Sequence, residues 1–112
     1  MKKWLALAVA VALPTTINLA SETSAETLSL YKKKCASCHG TDGKGITKMG
    51  KKLDAKDYTD RKVQESLKDD KAFAVIREGL KVDGKTKMKP DDELTDAQIK
   101  HLIAHMKQFG KK

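Results

Sequence analysis

The chain's only two cysteines, Cys35 and Cys38, lie three positions apart and are followed directly by His39. On one turn of a helix, this spacing puts both thiols on the same side of the backbone with an imidazole next to them. Three reactive groups within five residues constrain the chain more than any other feature of the sequence does. The fold has to present them together to a common partner.

Three interpretations of this pattern meet obstacles. A thioredoxin-like redox pair requires a βαβ context, and no alternating strand pattern in the chain is long enough to build a sheet. A zinc site requires a fourth ligand. His101 and His105 can supply one, but the usual second ligand pair at short spacing is absent. A structural disulfide that closes so short a loop adds little stability.

The remaining interpretation is covalent haem attachment, for which Cys-x-x-Cys-His is the known pattern. Cys35 and Cys38 can each form a thioether to a vinyl group on one edge of a porphyrin, and His39 then points at the iron as an axial ligand. The composition agrees, since only 4% of the 112 residues are aromatic. So small a domain with so few rings needs a disulfide, a metal or a cofactor to complete its core.

The N-terminal segment has the composition of a secretory signal peptide. Lys2 and Lys3 precede an apolar run over residues 4–13, and Pro14 ends this run. Ten apolar residues are too few to span a bilayer, which requires about 20. We therefore expect the protein to be exported to the periplasm, with no stable membrane insertion once the segment is removed.

Cleavage is expected after Ala20 or Ala25, and the second site better fits the small-x-small rule. The predicted organisation is a signal peptide over residues 1–25 and one domain over residues 26–112. Removing two lysines and one glutamate changes the net charge from +8 to +7. Because an exported basic protein seldom meets nucleic acid, an acidic protein is the expected partner.

Hydrophobic periodicity predicts an all-α domain of three to four helices. The first helix is expected to bury Leu28, Tyr31 and Cys35, and Thr95 with Gln98 makes a capping box for the last helix. The predicted helices cover residues 26–36, 60–67, 69–78 and 96–109, with a glycine-rich loop up to residue 58 and a second loop over residues 80–90.

The run from Cys35 to Gly45, Cys-Ala-Ser-Cys-His-Gly-Thr-Asp-Gly-Lys-Gly, is preceded by Tyr31 and followed far downstream by Met88 and an amphipathic C-terminal helix. This arrangement resembles the small bacterial mono-haem class I c-type cytochromes, over essentially the whole chain after the signal peptide. The resemblance implies a small cytochrome c-like fold. Three to four helices would wrap around one covalently bound haem, and the N- and C-terminal helices would cross.

The resemblance also implies the role of each site residue. Cys35 and Cys38 would hold one haem c through thioethers, His39 would be the proximal iron ligand, and Met88, in the loop before the last helix, the distal one. Weaker candidates for the distal position are Met49 and Met106. An iron held by His and Met has no vacant position, so the implied function is one-electron transport rather than catalysis.

A basic surface is expected around the exposed haem edge, where it would steer an acidic redox partner. Its predicted members are Lys44, Lys48, Lys51, Lys52, Lys81, Lys85, Lys87 and Lys89. We expect no nucleic-acid partner and a monomeric protein.

Two alternatives stay open: a haem-binding subunit of a larger redox enzyme, and a ligand-binding haem protein in which Met88 does not bind the iron. In the last helix, His105 stands where this family usually has an aromatic residue. We expect His105 to be packed and neutral, and His101 to be exposed.

Overall fold

The computed structural model describes residues 8–12 and 25–111. Most of the predicted signal peptide, including the expected cleavage site after Ala20, lies outside the described residues. The other expected site, Ala25, is the first residue of the first helix. Within the described ranges, no helix has the length and apolar character needed to span a membrane.

The described chain forms six helices and one two-stranded antiparallel sheet. Their bounds are α1 Ala25–Lys34, α2 Ala36–His39, α3 Lys48–Leu53, α4 Arg61–Ser66, α5 Asp69–Glu78, β1 Leu80–Val82, β2 Lys85–Met88 and α6 Asp96–Gln108. The fold is mainly helical, as predicted, with short elements added where the sequence predicts loops.

The predicted start of α6 is confirmed in detail. The Thr95 hydroxyl accepts a hydrogen bond from the Gln98 amide, and the Gln98 side chain accepts one from the Thr95 amide. Two of the first unpaired amides of the helix are thus satisfied by neighbouring side chains. At the other end of the chain, the predicted first helix is interrupted at Cys35, so α1 and α2 form in place of one helix.

Helix α3 lies in the stretch predicted to be a glycine-rich loop. Its N-cap is Thr47, whose hydroxyl accepts from the Gly50 amide at 2.8 Å and donates to the Ser37 carbonyl at 2.7 Å. Gly50 is buried, and a Cβ atom at this position would collide with the Cys38 carbonyl. Glycine therefore lets the backbone of α3 lie directly against α2, a contact that local periodicity does not reveal.

The stretch predicted to be a loop over residues 80–90 is a β-hairpin. Asp83 and Gly84 both have positive φ, 51° and 77°, in the two-residue turn between β1 and β2. An Asp-Gly pair is the favoured sequence for such a turn. The alternation of the strands is obscured because they are three and four residues long and rich in lysine.

The core lies where α1 and α5 pack against α6. Tyr31 of α1 and Ile99 and Leu102 of α6 are fully buried, and full burial of such side chains contributes about 1.5–3 kcal/mol each. The predicted packing of the first helix on the last is confirmed. The prediction that Leu28 is buried is wrong: Leu28 is 41% exposed, and Thr27 is buried in its place.

Candidate functional site

Cys35 lies at the break between α1 and α2, and Cys38 and His39 lie within α2. The Cys35 amide still donates to the Tyr31 carbonyl at 2.8 Å, and the His39 amide donates to the Cys35 carbonyl at 2.9 Å. The backbone therefore turns helically on both sides of Cys35, as the motif requires. Both Cys35 and Cys38 are free thiols, so the structure contains no disulfide between them.

The backbone that follows His39 is held by three hydrogen bonds. The Tyr31 hydroxyl donates to the Gly40 carbonyl at 2.6 Å, and the Gly45 amide donates to the His39 carbonyl at 2.8 Å. The Gly40 amide donates to the Ala36 carbonyl at 2.8 Å while Gly40 itself has a φ of 78°. Glycine adopts this left-handed conformation readily, so the chain can leave α2 directly after the imidazole.

A cavity of about 1030 Å³ opens beside this segment. Its volume lies just above the range of about 300–1,000 Å³ that is typical of ligand-binding clefts. Cys35, Cys38, His39 and Met88 all contribute to the lining. The apolar part of the wall is formed mainly by Leu53, Tyr58, Leu67, Ala72, Val75, Ile76, Leu80, Leu94 and Met106.

Burial sets the protonation of the motif residues. It lowers the pKa of His39, which keeps the imidazole neutral, the form in which it binds metals. Burial, and then the nearby Asp91 carboxylate, raise the pKa of the Cys35 thiol to about 11. Nδ1 of His39 is buried and has no hydrogen-bond partner in the described part of the chain. Nε2 is therefore the ring nitrogen left to face the cavity.

Met88 is the last residue of β2, is half-buried, and reaches the same cavity from the hairpin. Met49 and Met106 also line the cavity, but Met49 is 42% exposed and Met106 is buried in the core, as its position in the apolar stripe predicts. The structure thus brings Met88 and His39, far apart in the sequence, to one cavity. Their contact with a bound group stays a prediction.

A salt-bridge cluster joins α1 to the segment that follows Met88. Lys34 Nζ lies 3.0 Å from both Asp91 Oδ2 and Glu93 Oε2. Burial alone would raise the pKa of Asp91, but the Lys34 ammonium and two backbone amides hold it below its usual range. Since Lys34 directly precedes Cys35, these bonds link the motif to the chain just beyond Met88. Sequence periodicity contains no signal for this pairing.

Arg77 of α5 fixes the same segment from its other side. Its Nη1 atom donates to the carbonyls of Asp91 and Leu94 at 3.1 and 2.7 Å, and its Nη2 atom lies 2.8 Å from Asp96 Oδ1. The chain between the hairpin and α6 is therefore tied both to α1 and to α5, although it contains no helix or strand.

Basic side chains line the cavity, but only in part those that the sequence predicts. The lysines that line it are Lys34, Lys56, Lys68, Lys71, Lys85, Lys87 and Lys89, against the three acids Asp54, Asp83 and Asp91. Of the predicted set, Lys44, Lys48, Lys51, Lys52 and Lys81 do not line it. Lys34 and Lys87 are in salt bridges. The other five cavity lysines are exposed and form none within the described chain.

His105 is 8% exposed and lies between the rings of Tyr31 and Phe109, at centroid distances of 4.7 and 5.0 Å. Burial lowers its pKa, so the expectation of a packed, neutral histidine is confirmed. His101 is half-buried, so the prediction that it is exposed is wrong. No group of three metal-ligating side chains occurs in the described ranges, so the zinc alternative has no support there.

The donor set fits a covalently bound porphyrin. Two free thiols on one turn, a neutral imidazole and a thioether line an apolar cavity of sufficient volume. Zinc in a structural site would need four such ligands close together, whereas a porphyrin supplies four nitrogen ligands itself and takes only axial ones from the protein.

Comparison with known proteins agrees with this chemistry. The model of the cytochrome c family matches residues 24–110, and the chain belongs to that family. It is accordingly a haem-based electron carrier with covalently bound haem c.

Two solved structures resemble the chain. The KustC0563 c-type cytochrome is 30% identical, with a TM-score of 0.64 over 76% of this chain and 98% of that one. A tyrosine-to-phenylalanine mutant of Kustc0563 is 28% identical, with a TM-score of 0.63 over 74% of this chain and 96% of that one. No curated protein matches the sequence.

Proposed function

We propose that the protein is a periplasmic one-electron carrier in which His39 and Met88 are the axial ligands of the haem iron. The observation that carries this proposal is the common cavity lined by Cys35, Cys38, His39 and Met88. The bound haem supplies the exchange of a single electron at its iron.

Each of these side chains of the cavity has a separate role. Cys35 and Cys38 anchor the group, and the neutral imidazole of His39 offers Nε2 as a donor. The soft thioether of Met88 favours ferrous iron, which raises the reduction potential relative to bis-histidine ligation. With His39 and Met88 both holding the iron, no position would be left for a substrate, and the protein would carry electrons rather than catalyse a reaction.

Spectroscopy of the purified holoprotein tests the ligands. We expect the ferric protein to show the red-region sulfur-to-iron absorption band, and Met88→Ala to abolish it. Met49→Ala is a matched control, since Met49 lines the same cavity, and it should retain the band. A five-coordinate ferrous spectrum with tight carbon monoxide binding in the wild type would instead support the ligand-binding alternative.

We further propose that the exposed lysines that line the cavity, Lys56, Lys68, Lys71, Lys85 and Lys89, form the docking surface for an acidic redox partner. Seven lysines against three aspartates line the cavity, and a focused positive field accelerates encounter with an acidic protein. Charge steering of this kind weakens as salt rises, because the Debye length falls to about 8 Å at physiological ionic strength.

Stopped-flow electron transfer with an acidic redox protein tests the docking surface. The bimolecular rate should fall steeply with ionic strength, and Lys85→Gln/Lys89→Gln should lower the rate at low salt. Lys100→Gln, on the exposed surface of α6, is the matched control and should have little effect. A rate that does not respond to salt contradicts the steering.

Expression with the full N-terminal segment tests the localisation. Periplasmic protein with a pyridine haemochrome spectrum of haem c, and an intact mass that corresponds to cleavage after Ala20 or Ala25, is the expected result. Recovery of a colourless chain that keeps residues 1–25 contradicts export. Co-purification with a larger enzyme would support the alternative of a haem-binding subunit.

A further inference from the structure

The imidazole of His39 lacks the usual support of a metal-binding histidine. Such histidines almost always donate their second ring N–H to a carboxylate, a carbonyl or a water, which fixes the orientation of the ring and makes it a stronger donor. In the described part of this chain, the buried Nδ1 atom of His39 has no hydrogen-bond partner. Something other than a hydrogen bond has to orient this ring.

The aromatic ring of Tyr58 lies in the right place to do so. It meets the His39 ring in an edge-to-face arrangement, with centroids 5.5 Å apart and planes inclined by 67°. Both residues line the cavity. Edge-to-face aromatic contacts have a preferred geometry, so a fixed tyrosine restricts the rotation of the imidazole.

Tyr58 itself is held firmly by its backbone. Its amide donates to the Gly43 carbonyl at 2.8 Å, which connects it to the loop behind the motif. Its carbonyl accepts from Gln64 Nε2 at 2.5 Å, and the same amide group donates to the Met106 carbonyl at 2.9 Å. Tyr58 is thereby tied through Gln64 to the last helix, which fixes the backbone position from which its ring reaches His39.

We propose that Tyr58 is the positioning residue of the proximal ligand: packing against its ring, rather than a hydrogen bond to Nδ1, sets the plane of the His39 imidazole. This inference rests on the proposed ligation by His39. It has an electronic consequence, because a histidine that donates no second hydrogen bond is a weaker electron donor to its metal. The arrangement therefore raises the reduction potential in the same direction as Met88 does.

Paramagnetic NMR of the ferric holoprotein tests the role of Tyr58, since the spread of the haem-methyl resonances reports the plane of the axial imidazole. Tyr58→Leu, which removes the ring, should change that spread and shift the reduction potential. Tyr58→Phe keeps the ring and should restore both values to those of the wild type. Phe73→Leu is a matched control, because Phe73 packs beside Arg77 and does not line this cavity.

A change in Tyr58→Phe as large as that in Tyr58→Leu would show that the hydroxyl, and not the ring, is responsible, and would overturn the proposal. So would an unchanged spread in Tyr58→Leu. If Tyr58→Leu does not assemble, Tyr58→Met offers a flexible side chain without a ring, with the same expected change.

The wild-type protein provides a second, independent test. In the ferrous state, the Nδ1–H proton of His39 should show no scalar coupling to a backbone carbonyl, and a resolved coupling would overturn the proposal. Failure of the ligation itself looks different, because the hyperfine-shifted imidazole signals of His39 would then be missing altogether.

Discussion

Replacing Tyr31 with phenylalanine removes one hydroxyl and leaves the ring in contact with those of His105 and Phe109, at centroid distances of 4.7 and 5.6 Å. Burial raises the pKa of Tyr31 above its usual range, so the hydroxyl stays protonated and donates to Gly40. The lost bond is short, 2.6 Å, and fully buried. The perturbation therefore isolates a single hydrogen bond next to His39.

The loss of unfolding free energy depends on which hydrogen bonds the Gly40 carbonyl retains. A neutral hydrogen bond contributes about 0.5–1.5 kcal/mol, and a buried acceptor left without any partner costs about 1–3 kcal/mol. The carbonyl keeps a longer bond of 3.3 Å from the Gly43 amide, so we expect the free energy of unfolding to fall by about 1–1.5 kcal/mol, near the lower end of that range. For a domain of this size, the melting temperature should fall by about 4–12 °C.

Chemical denaturation of the ferric holoprotein, followed by far-ultraviolet circular dichroism, measures this change. Tyr58→Phe is the matched control: the Tyr58 hydroxyl makes no hydrogen bond within the described chain, so its loss should alter the unfolding free energy by less than about 0.5 kcal/mol. Equal effects of the two substitutions, or no loss in Tyr31→Phe, would show that the bond to Gly40 does not stabilise the fold.

Three further outcomes are expected. Burial lowers the pKa of His105, so the unfolded chain binds its proton more readily; stability is complete above the unfolded pKa of about 6.5 and falls below it, by up to about 1.4 kcal/mol per pH unit. Denaturation at pH 7 and pH 5 should show this loss in the wild type and a smaller one in His105→Phe. Gly50→Ala should destabilise the holoprotein by about 1–3 kcal/mol, because the added methyl group would collide with the Cys38 carbonyl. Helix propensity alone predicts the opposite, a stabilisation. Higher stability of the alanine variant in chemical denaturation would refute the close packing of α3 on α2. Finally, Cys35→Ala/Cys38→Ala cannot attach haem and should lose most of its helical circular dichroism, because the apolar walls of a cavity of about 1030 Å³ would be left uncovered. Full helix content would show that folding does not depend on the haem.

The confirmed predictions concern features that depend on residues close together in the sequence. The spacing of Cys35, Cys38 and His39 predicted covalently bound haem c, which the family has, and Thr95 with Gln98 predicted the start of α6. Both depend on interactions between residues at most four apart, which a sequence displays directly. The all-α class follows for the same reason, since helical periodicity repeats along each element.

The contacts that join distant parts of the chain were revealed only by the tertiary structure. The Thr47 hydroxyl joins the start of helix α3 to the carbonyl of Ser37. Met88 reaches the cavity of His39 through a hairpin whose strands are too short to show a pattern. The contact between Tyr58 and His39 has no signal in the sequence either. Such contacts require closing long loops, and the entropy this costs is offset only when apolar surface from several elements is buried together.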